Sequence, residues 1–358
     1  MADEPAVTGA EHGPAGRCDH DAVSYRYSYL GPRGTFTEAA VRLLQGSQPD
    51  GRPGSQPDAL PSASIQAALD AVRSGQAELG VVPIESSVEG AVTATLDELA
   101  VGTELVICAE VLVPVEFALL ARPGTELADV KRVGGHPVAQ PQCRQWLAAN
   151  LPHAEWLPAA SNSDAARQVA EGQLDAALAG VFAAELYGLA ALATDVHDRD
   201  DAVTRFVAVR LPGDLPARTG ADKTSIVAFL ADDHPGALMD ILGQFAFRGV
   251  NLTRIESRPT GDGIGRYCFF IDCEGHVAQA RVGEALMGLH RICSDVRFLG
   301  SYPEAAVPVD PDSPAASLAG ASARAADPDE ADKSDAEFME AADWLARIRS
   351  GNGHGAAM

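Results

Sequence analysis

From Ser24 to Leu211, short apolar runs alternate with stretches whose apolar residues recur at helical spacing. Leu79 to Ile84 (LGVVPI) is a continuous apolar run, the mark of a strand buried on both faces. Ser64 to Val72 instead places Ile65, Ala68, Leu69 and Val72 on one face of a helix. Val106 to Leu120 holds two β-rich runs broken at Pro114, and further strands are expected at Leu174 to Ala179 and Arg205 to Val209. This alternation predicts an α/β fold with largely parallel sheets.

The order of elements changes after residues 212–222 (PGDLPARTGAD), a linker of Pro, Gly and small polar residues. Thr224 to Leu230 reads as a strand. Gly236 to Phe247 reads as a helix with Leu238, Ile241, Leu242 and Phe245 apolar. Leu252 to Ser257 and Tyr267 to Ile271 are strands joined by a turn at Gly261 to Gly265. A helix at Val277 to Leu289 and a strand at Val296 to Leu299 complete βαββαβ, the ferredoxin-like plan. The chain thus divides into a lead-in (1–24), a first unit (25–211), the linker, a second unit (223–303) and an acidic tail (304–358). The lead-in and most of the tail have the Pro-, Gly- and charge-rich composition of disordered segments. Within the tail, Ser334 and Glu337 have capping-box spacing, and Phe338, Ala342, Leu345 and Ile348 follow at helical spacing. This predicts a helix over 334–349, read first as solvated, with docking on the body or a partner as the alternative. GSQPD occurs at Gly46–Asp50 and again at Gly54–Asp58, the pattern of a surface-loop insertion.

Composition narrows the function. The chain has 358 residues, 46% of them hydrophobic, enough for two cores. Its formal net charge of −23 repels phosphate backbones and argues against nucleic-acid binding. No apolar stretch approaches the roughly 20 residues that span a bilayer, and the opening Met-Ala-Asp-Glu-Pro lacks the basic and apolar regions of a secretory signal. The expected location is therefore the cytoplasm. The six cysteines form no C-x-x-C pair and read as reduced, mostly buried thiols. No zinc-ligand spacing, Walker A motif or dinucleotide fingerprint is present, so no metal or nucleotide cofactor is expected.

Five polar segments carry candidate chemistry. In Gly31-Pro-Arg-Gly-Thr-Phe-Thr-Glu38, a tight turn leads to Thr35 and Glu38 at capping-box spacing, which presents a helix N-terminus to an anion. Val82-Pro-Ile-Glu-Ser-Ser-Val-Glu-Gly90 ends a buried strand in a polar cluster, where ligands gather in α/β folds. There Glu85 can accept or orient a hydrogen bond, and Ser86 and Ser87 can donate. Gly134-Gly-His-Pro-Val-Ala-Gln-Pro-Gln-Cys143 holds His136, more readily structural than catalytic, and Gln142. Ser161-Asn-Ser-Asp164 opens a helix as a cap. Thr204-Arg-Phe206 puts an arginine at the start of an apolar strand, to be partnered by a substrate carboxylate or by a structural salt bridge.

Taken together and in this order, the segments resemble the prephenate dehydratase family: a GPxGTF loop, a VPIEN-S-xxG segment, an SHPQ-type segment and a TRF triplet. An ACT domain with GAL and ESRP motifs then follows. The resemblance covers roughly residues 26 to 302. It implies a catalytic module of two α/β lobes, similar to a type 2 periplasmic-binding protein, with the site in the cleft between them. It implies conversion of prephenate to phenylpyruvate, carbon dioxide and water without a cofactor. By the same resemblance, Thr204 supplies a hydrogen bond to the leaving hydroxyl, Arg205 binds a carboxylate and Phe206 shapes the pocket. Thr35, Glu85, Ser86, Ser87 and Gln142 fall at positions that line the cleft. Gly236, Ala237, Leu238, Asn251, Glu256, Ser257 and Arg258 fall in the regions that form a phenylalanine site at a dimer interface, which implies a homodimer or homotetramer under phenylalanine control.

The sequence departs from the family pattern at four places. Ser86 stands for Asn, Gly135 for Ser, Val138 for Gln, and Ala202-Val203 where an Asn is common before the triplet. Each loses a hydrogen-bonding side chain. Arogenate dehydratase, a prephenate decarboxylase and a non-catalytic amino-acid sensor are the competing readings, and the intact triplet favours the dehydratase.

Overall fold

A computed structural model describes residues 25–46, 58–261, 266–306 and 328–350. The first lobe holds β1 (Tyr27–Leu30), α1 (Phe36–Gly46), β2 (Ala59–Ser62), α2 (Ile65–Arg73), β3 (Leu79–Ser86), β4 (Gly90–Ala91), α3 (Thr93–Ala100) and β5 (Val106–Pro114). Helix α2 starts where the pattern places it: the Ser64 hydroxyl accepts from the Ala67 N–H at 3.1 Å, and Ala68, Leu69, Ala71 and Val72 are buried. After Pro114 the chain crosses to the second lobe. There β6 (Ala118–Ala121), β7 (Arg132–Gly135), α4 (Ala139–Gln142), α5 (Arg144–Asn150), β8 (Glu155–Pro158), α6 (Asn162–Ala170), β9 (Ala176–Ala179), α7 (Phe182–Tyr187) and β10 (Ala190–Ala193) follow. The chain then returns as β11 (Val203–Arg210).

The sheets are mixed rather than largely parallel. The first runs β2-β1-β3-β11-β5, with β1 parallel to β2 and β3 but β11 antiparallel to both β3 and β5. The cause is the double crossing. Strands β3 and β5 lead out to the cleft, so a strand that re-enters from the cleft must run back between them. In the second lobe, ordered β10-β6-β9-β7-β8, only the pairs β7–β8 and β7–β9 are parallel.

The second unit matches the βαββαβ expectation. It comprises β12 (Asp222–Leu230), α8 (Ala237–Ala246), β13 (Leu252–Pro259), β14 (Tyr267–Glu274), α9 (Ala280–Ile292) and β15 (Cys293–Pro303). Its antiparallel sheet is ordered β13-β14-β12-β15. One face packs under α8 and α9 through Ile226, Ile241, Phe245, Ile271 and Leu289. The other face shares a core with the first lobe: Val227, Phe270, Leu299 and Tyr302 pack with Leu69, Val82, Ile107 and Val207. The approach is close at Gly300, which has φ +141, where a Cβ would collide with the Ile107 carbonyl.

A final helix, α10 (Pro328–Arg349), begins earlier than the capping-box spacing at Ser334 predicts. Its base docks. Asp335 is buried, accepts from the Arg281 backbone N–H at 3.4 Å and lies 4.0 Å from the Arg218 guanidinium. Met339 and Trp344 further along remain exposed. The lead-in to residue 24, most of the GSQPD duplication and most of the tail lie outside the described residues, as does Cys18. The other cysteines are free thiols, and burial pushes those of Cys143 and Cys273 up to about 12, far from reactive thiolates.

Gly300→Ala is expected to cost about 1–3 kcal/mol, because the new methyl meets backbone that cannot move aside. A urea midpoint unchanged from wild type would show that the two units are not packed this closely.

Candidate active site

The start of β11 is fixed from both sides. Thr204 is registered with Ser86 of β3 and with Val113 of β5. Ser87 clamps the residue before it: the Ser87 N–H donates to the Val203 carbonyl at 2.9 Å, and the Val203 N–H donates back to the Ser87 hydroxyl at 2.9 Å. Ser86 closes the adjoining turn by accepting from the N–H groups of Val88 and Glu89 at 3.2 and 3.3 Å. Both serine hydroxyls thus serve as acceptors in building the corner. The Thr204 hydroxyl is half-buried and has no hydrogen-bond partner among the described residues. Phe206, two residues on and on the same strand face, is buried with Tyr27, Tyr29 and Val113 and anchors the strand.

The lobes meet around the Gly31–Phe36 loop, where Gly31–Pro32 is a cis peptide. Thr35 donates to the Pro32 carbonyl at 3.1 Å and caps the Glu38 N–H at 3.4 Å. Ser163 of α6 donates to the Arg33 carbonyl and lies 3.1 Å from the Tyr187 hydroxyl, which ties the second lobe to this loop. Phe36 packs edge-on against Phe117 and Phe182 at 5.8 and 5.3 Å. A cavity of about 440 Å³ lies between the lobes, walled by Phe36, Val113 and Pro114 on one side and by Glu116, Phe117 and Phe182 on the other. Its size suits a small molecule. A smaller one of about 250 Å³ borders Thr35, Glu38 and Arg42. Thr204, Glu85, Ser86, Ser87 and Gln142 line neither, although Val113 in the larger wall is Thr204's strand partner. Gln142 reaches this region through its backbone: its carbonyl accepts from the N–H of Asp198, on the return crossing that leads to β11, at 2.7 Å. The His136 N–H donates to Asn162 at 2.7 Å and its Nδ1 accepts from Val138, which is a structural role.

Arg205 departs from its expected role. Consecutive strand residues face opposite ways, so Arg205 points away from the Thr204 face and into the seam with the second unit. There its side chain is 8% exposed. Nε donates to Glu110 at 2.6 Å, Nη1 to Asp272 at 2.5 Å and Nη2 to the Tyr302 hydroxyl at 2.8 Å. Ser225 donates to the other Asp272 oxygen at 2.6 Å, and Lys223 to the other Glu110 oxygen at 2.9 Å. A guanidinium so occupied is not available to a substrate carboxylate. Burial disfavours its charge, but Tyr302, Asp272 and Glu110 outweigh that and raise its pKa. Burial likewise opposes ionisation of Asp272, yet Arg205 and the Ser225 hydroxyl hold its carboxyl below the usual range.

Glu85 is turned the same way. β3 bulges opposite the Arg205–Phe206 step, with Arg205 facing Glu85 and Phe206 facing Pro83. The bulge re-aims Glu85 toward the seam, 3.6 Å from Arg205 and 3.4 Å from Arg254. No motif in the sequence had singled out Glu110, Asp272, Tyr302 or Arg254.

Comparison with known proteins adds to this geometry. The family model for prephenate dehydratase matches residues 27–213, and that for the ACT domain matches 225–291. The prephenate dehydratase of Mycobacterium marinum is 51% identical over 279 residues, 78% of this chain and 88% of that protein. This chain belongs to the prephenate dehydratase family. The prephenate dehydratase of Arthrobacter aurescens, solved in complex with L-Phe, is 46% identical with a TM-score of 0.77, over 91% of this chain and 99% of that one. GqqA, a novel type of quorum quenching acylase, is 32% identical with a TM-score of 0.67, over 77% of this chain and 97% of its own.

Against the family pattern, the glycine at 135 has a local cause: a Cβ there would come within 2.7 Å of the Trp156 ring. In the ACT domain, Gly236 caps α8 with φ +100, followed by buried Ala237 and exposed Leu238. Asn251 donates to Glu274 at 2.7 Å. Glu256 and Arg258 share a β13 face with the buried seam, and Arg258 forks onto Asp97 of α3 at 2.9 Å; Ser257 lies on the opposite face. Two strands separate β13 from β15, and β14 separates it from β12, which feeds α8.

Asp272→Ala is expected to cost about 3–5 kcal/mol at neutral pH, since it strands a buried guanidinium. Because the folded Asp272 pKa is depressed, its contribution is present above the unfolded value of about 3.9 and is lost as pH falls through the folded one. Denaturant unfolding of Asp272→Asn should accordingly lose stability less steeply than wild type below about pH 4. Parallel acid limbs would show that the pair is not formed.

Proposed function

We propose that this chain is a cytoplasmic enzyme of L-phenylalanine biosynthesis that converts prephenate to phenylpyruvate, carbon dioxide and water, with its ACT domain binding L-phenylalanine as effector. The ring carboxylate leaves as carbon dioxide. The electron pair it releases aromatises the ring and expels the ring hydroxyl, which takes up a proton and departs as water. Aromatisation supplies the driving force, so the protein's task is to place a donor at the departing oxygen and to stabilise only the charge that develops there.

The observation that carries this reading is Thr204, half-buried and with no hydrogen-bond partner for its hydroxyl among the described residues, beside two serine hydroxyls that serve as acceptors in building the corner. A threonine is too weak an acid to be a free proton source, so it acts as a positioned hydrogen-bond donor. Thr35 borders the smaller cavity, Ser86 and Ser87 build the corner beside Thr204, and Gln142 holds the return crossing through its carbonyl. Arg205 acts from behind the strand. Its burial away from the Thr204 face also keeps a strong cation from overstabilising the carboxylate that must leave.

The ACT domain would assemble its effector site between two copies of the chain. Met239, Phe247 and Met287 expose 69%, 86% and 56% of their surfaces on its helices. Pairing through that side would make the enzyme a homodimer or a pair of dimers.

The test is to incubate purified protein with prephenate and follow phenylpyruvate by its absorbance in alkali, with arogenate in parallel. Wild type should form phenylpyruvate from prephenate, and Thr204→Ala should lower kcat by about 10²-fold or more with its circular dichroism unchanged. Absence of phenylpyruvate from wild type would sink the proposal, and faster turnover of arogenate would move the substrate.

A further inference from the structure

Arg254 sits in the middle of β13, between Asn251 and the Glu256–Arg258 segment. Its side chain is only 8% exposed, and its Nη2 is buried without a hydrogen-bond partner among the described residues. A buried guanidinium nitrogen without an acceptor leaves the side chain with unused hydrogen-bonding capacity.

The surroundings show what Arg254 can hold. Its Nε lies 3.4 Å from Glu85 Oε2, a loose contact. Across the sheet Arg254 is registered with Asp272, whose oxygens are already taken by Arg205 and Ser225. The Glu85 oxygen that faces Arg254 lies 3.6 Å from Arg205, and the Glu85 side chain is still 40% exposed. Glu85 is thus held between one arginine from the catalytic strand and one from the regulatory strand. Its backbone pairs with Arg205 on β11 and with Ala91 on β4, so where it settles bears on the corner beside Thr204.

We propose that Arg254 is a positioning residue that relays the effector state of β13 to the catalytic corner by holding or releasing Glu85. The proposal rests on the reading that phenylalanine acts at the ACT domain. β13 is an edge strand, bonded to β14 alone, so it can shift without breaking a second ladder. The Arg258–Asp97 fork fastens one end of it to α3. Arg254, with the longer contact and the open nitrogen, is where a shift is felt. An effector that binds one arrangement more tightly moves the population toward it, and Glu85 moves with Arg254.

Full-length Arg254→Gln tests this with three measurements: phenylalanine affinity by calorimetry, kcat/KM with and without phenylalanine, and hydrogen exchange at amides 84–88 and 203–206. Phenylalanine affinity should stay within about threefold of wild type while its effect on kcat/KM shrinks by at least about fivefold. The phenylalanine-induced change in exchange at those amides should vanish, and Arg254→Lys should fall between. A wild-type response in Arg254→Gln overturns the relay. So does loss of phenylalanine binding in that variant, which would make Arg254 a ligand contact, or a wild type that binds no phenylalanine. If wild type binds phenylalanine but does not turn over prephenate, the functional reading fails while the exchange comparison still decides the relay. Should Arg254→Gln not fold, Glu85→Gln removes the same contact from the other side. Retention of the exchange signal in that variant would equally refute the proposal.

Discussion

The structure depends on one buried cation. Beneath the regulatory sheet each of the three Arg205 guanidinium nitrogens finds an acceptor, and these come from three strands: Glu110 on β5, Asp272 on β14 and Tyr302 on β15. Removing any one leaves an uncompensated charge or acceptor. Regulatory unit and first lobe are therefore joined by a set of polar contacts with defined geometry as well as by the apolar core around Phe270 and Leu299. Apolar packing alone could tolerate sliding, whereas a fork shared among three acceptors specifies one register.

The same constraint settles the corner around Thr204. With Arg205 drawn into the seam, strand alternation leaves Thr204 and Phe206 on the other face. Phe206 is locked in the core, and Ser87 clamps Val203, so Thr204 is held by regular structure on both sides. A donor on such a strand keeps its aim better than one on a loop. The loops contribute in a different way. The Gly31–Phe36 turn and the start of α6 meet across the cleft at Ser163 and Arg33, which ties the lobes together there.

The seam also gives regulation a physical route. β11 carries Thr204 on one face and Arg205 on the other, and Arg205 bonds to the strand that pairs with β13. Thr204 and the regulatory sheet are thus one residue and one ion pair apart. The Arg205 contacts with Glu110, Asp272 and Tyr302 are tight, whereas those that Glu85 makes with Arg205 and Arg254 are longer, at 3.6 and 3.4 Å. Both features belong to a coupled enzyme, since rigid contacts transmit a displacement and an under-satisfied one permits it.

Much of this was legible in the residues. Period and punctuation located the two units, the Pro114 break, the α2 start and the βαββαβ order, because each follows from local burial and backbone preference. The ordered motifs named the family. The sequence could not say which way Arg205 and Glu85 point. An arginine leading an apolar strand reads equally as a substrate clamp or a salt bridge, and the choice lay with Asp272 and Tyr302, far along the chain. The bulge that turns Glu85 is set by pairing with β11 and leaves no local signal. The antiparallel β11 follows from the double crossing between lobes, and the orphaned Arg254 from packing between units. Local sequence determined which elements form and which side chains can do chemistry. Only tertiary structure decided which of them meet, because ion pairs, registers and seams join residues that are distant in the chain.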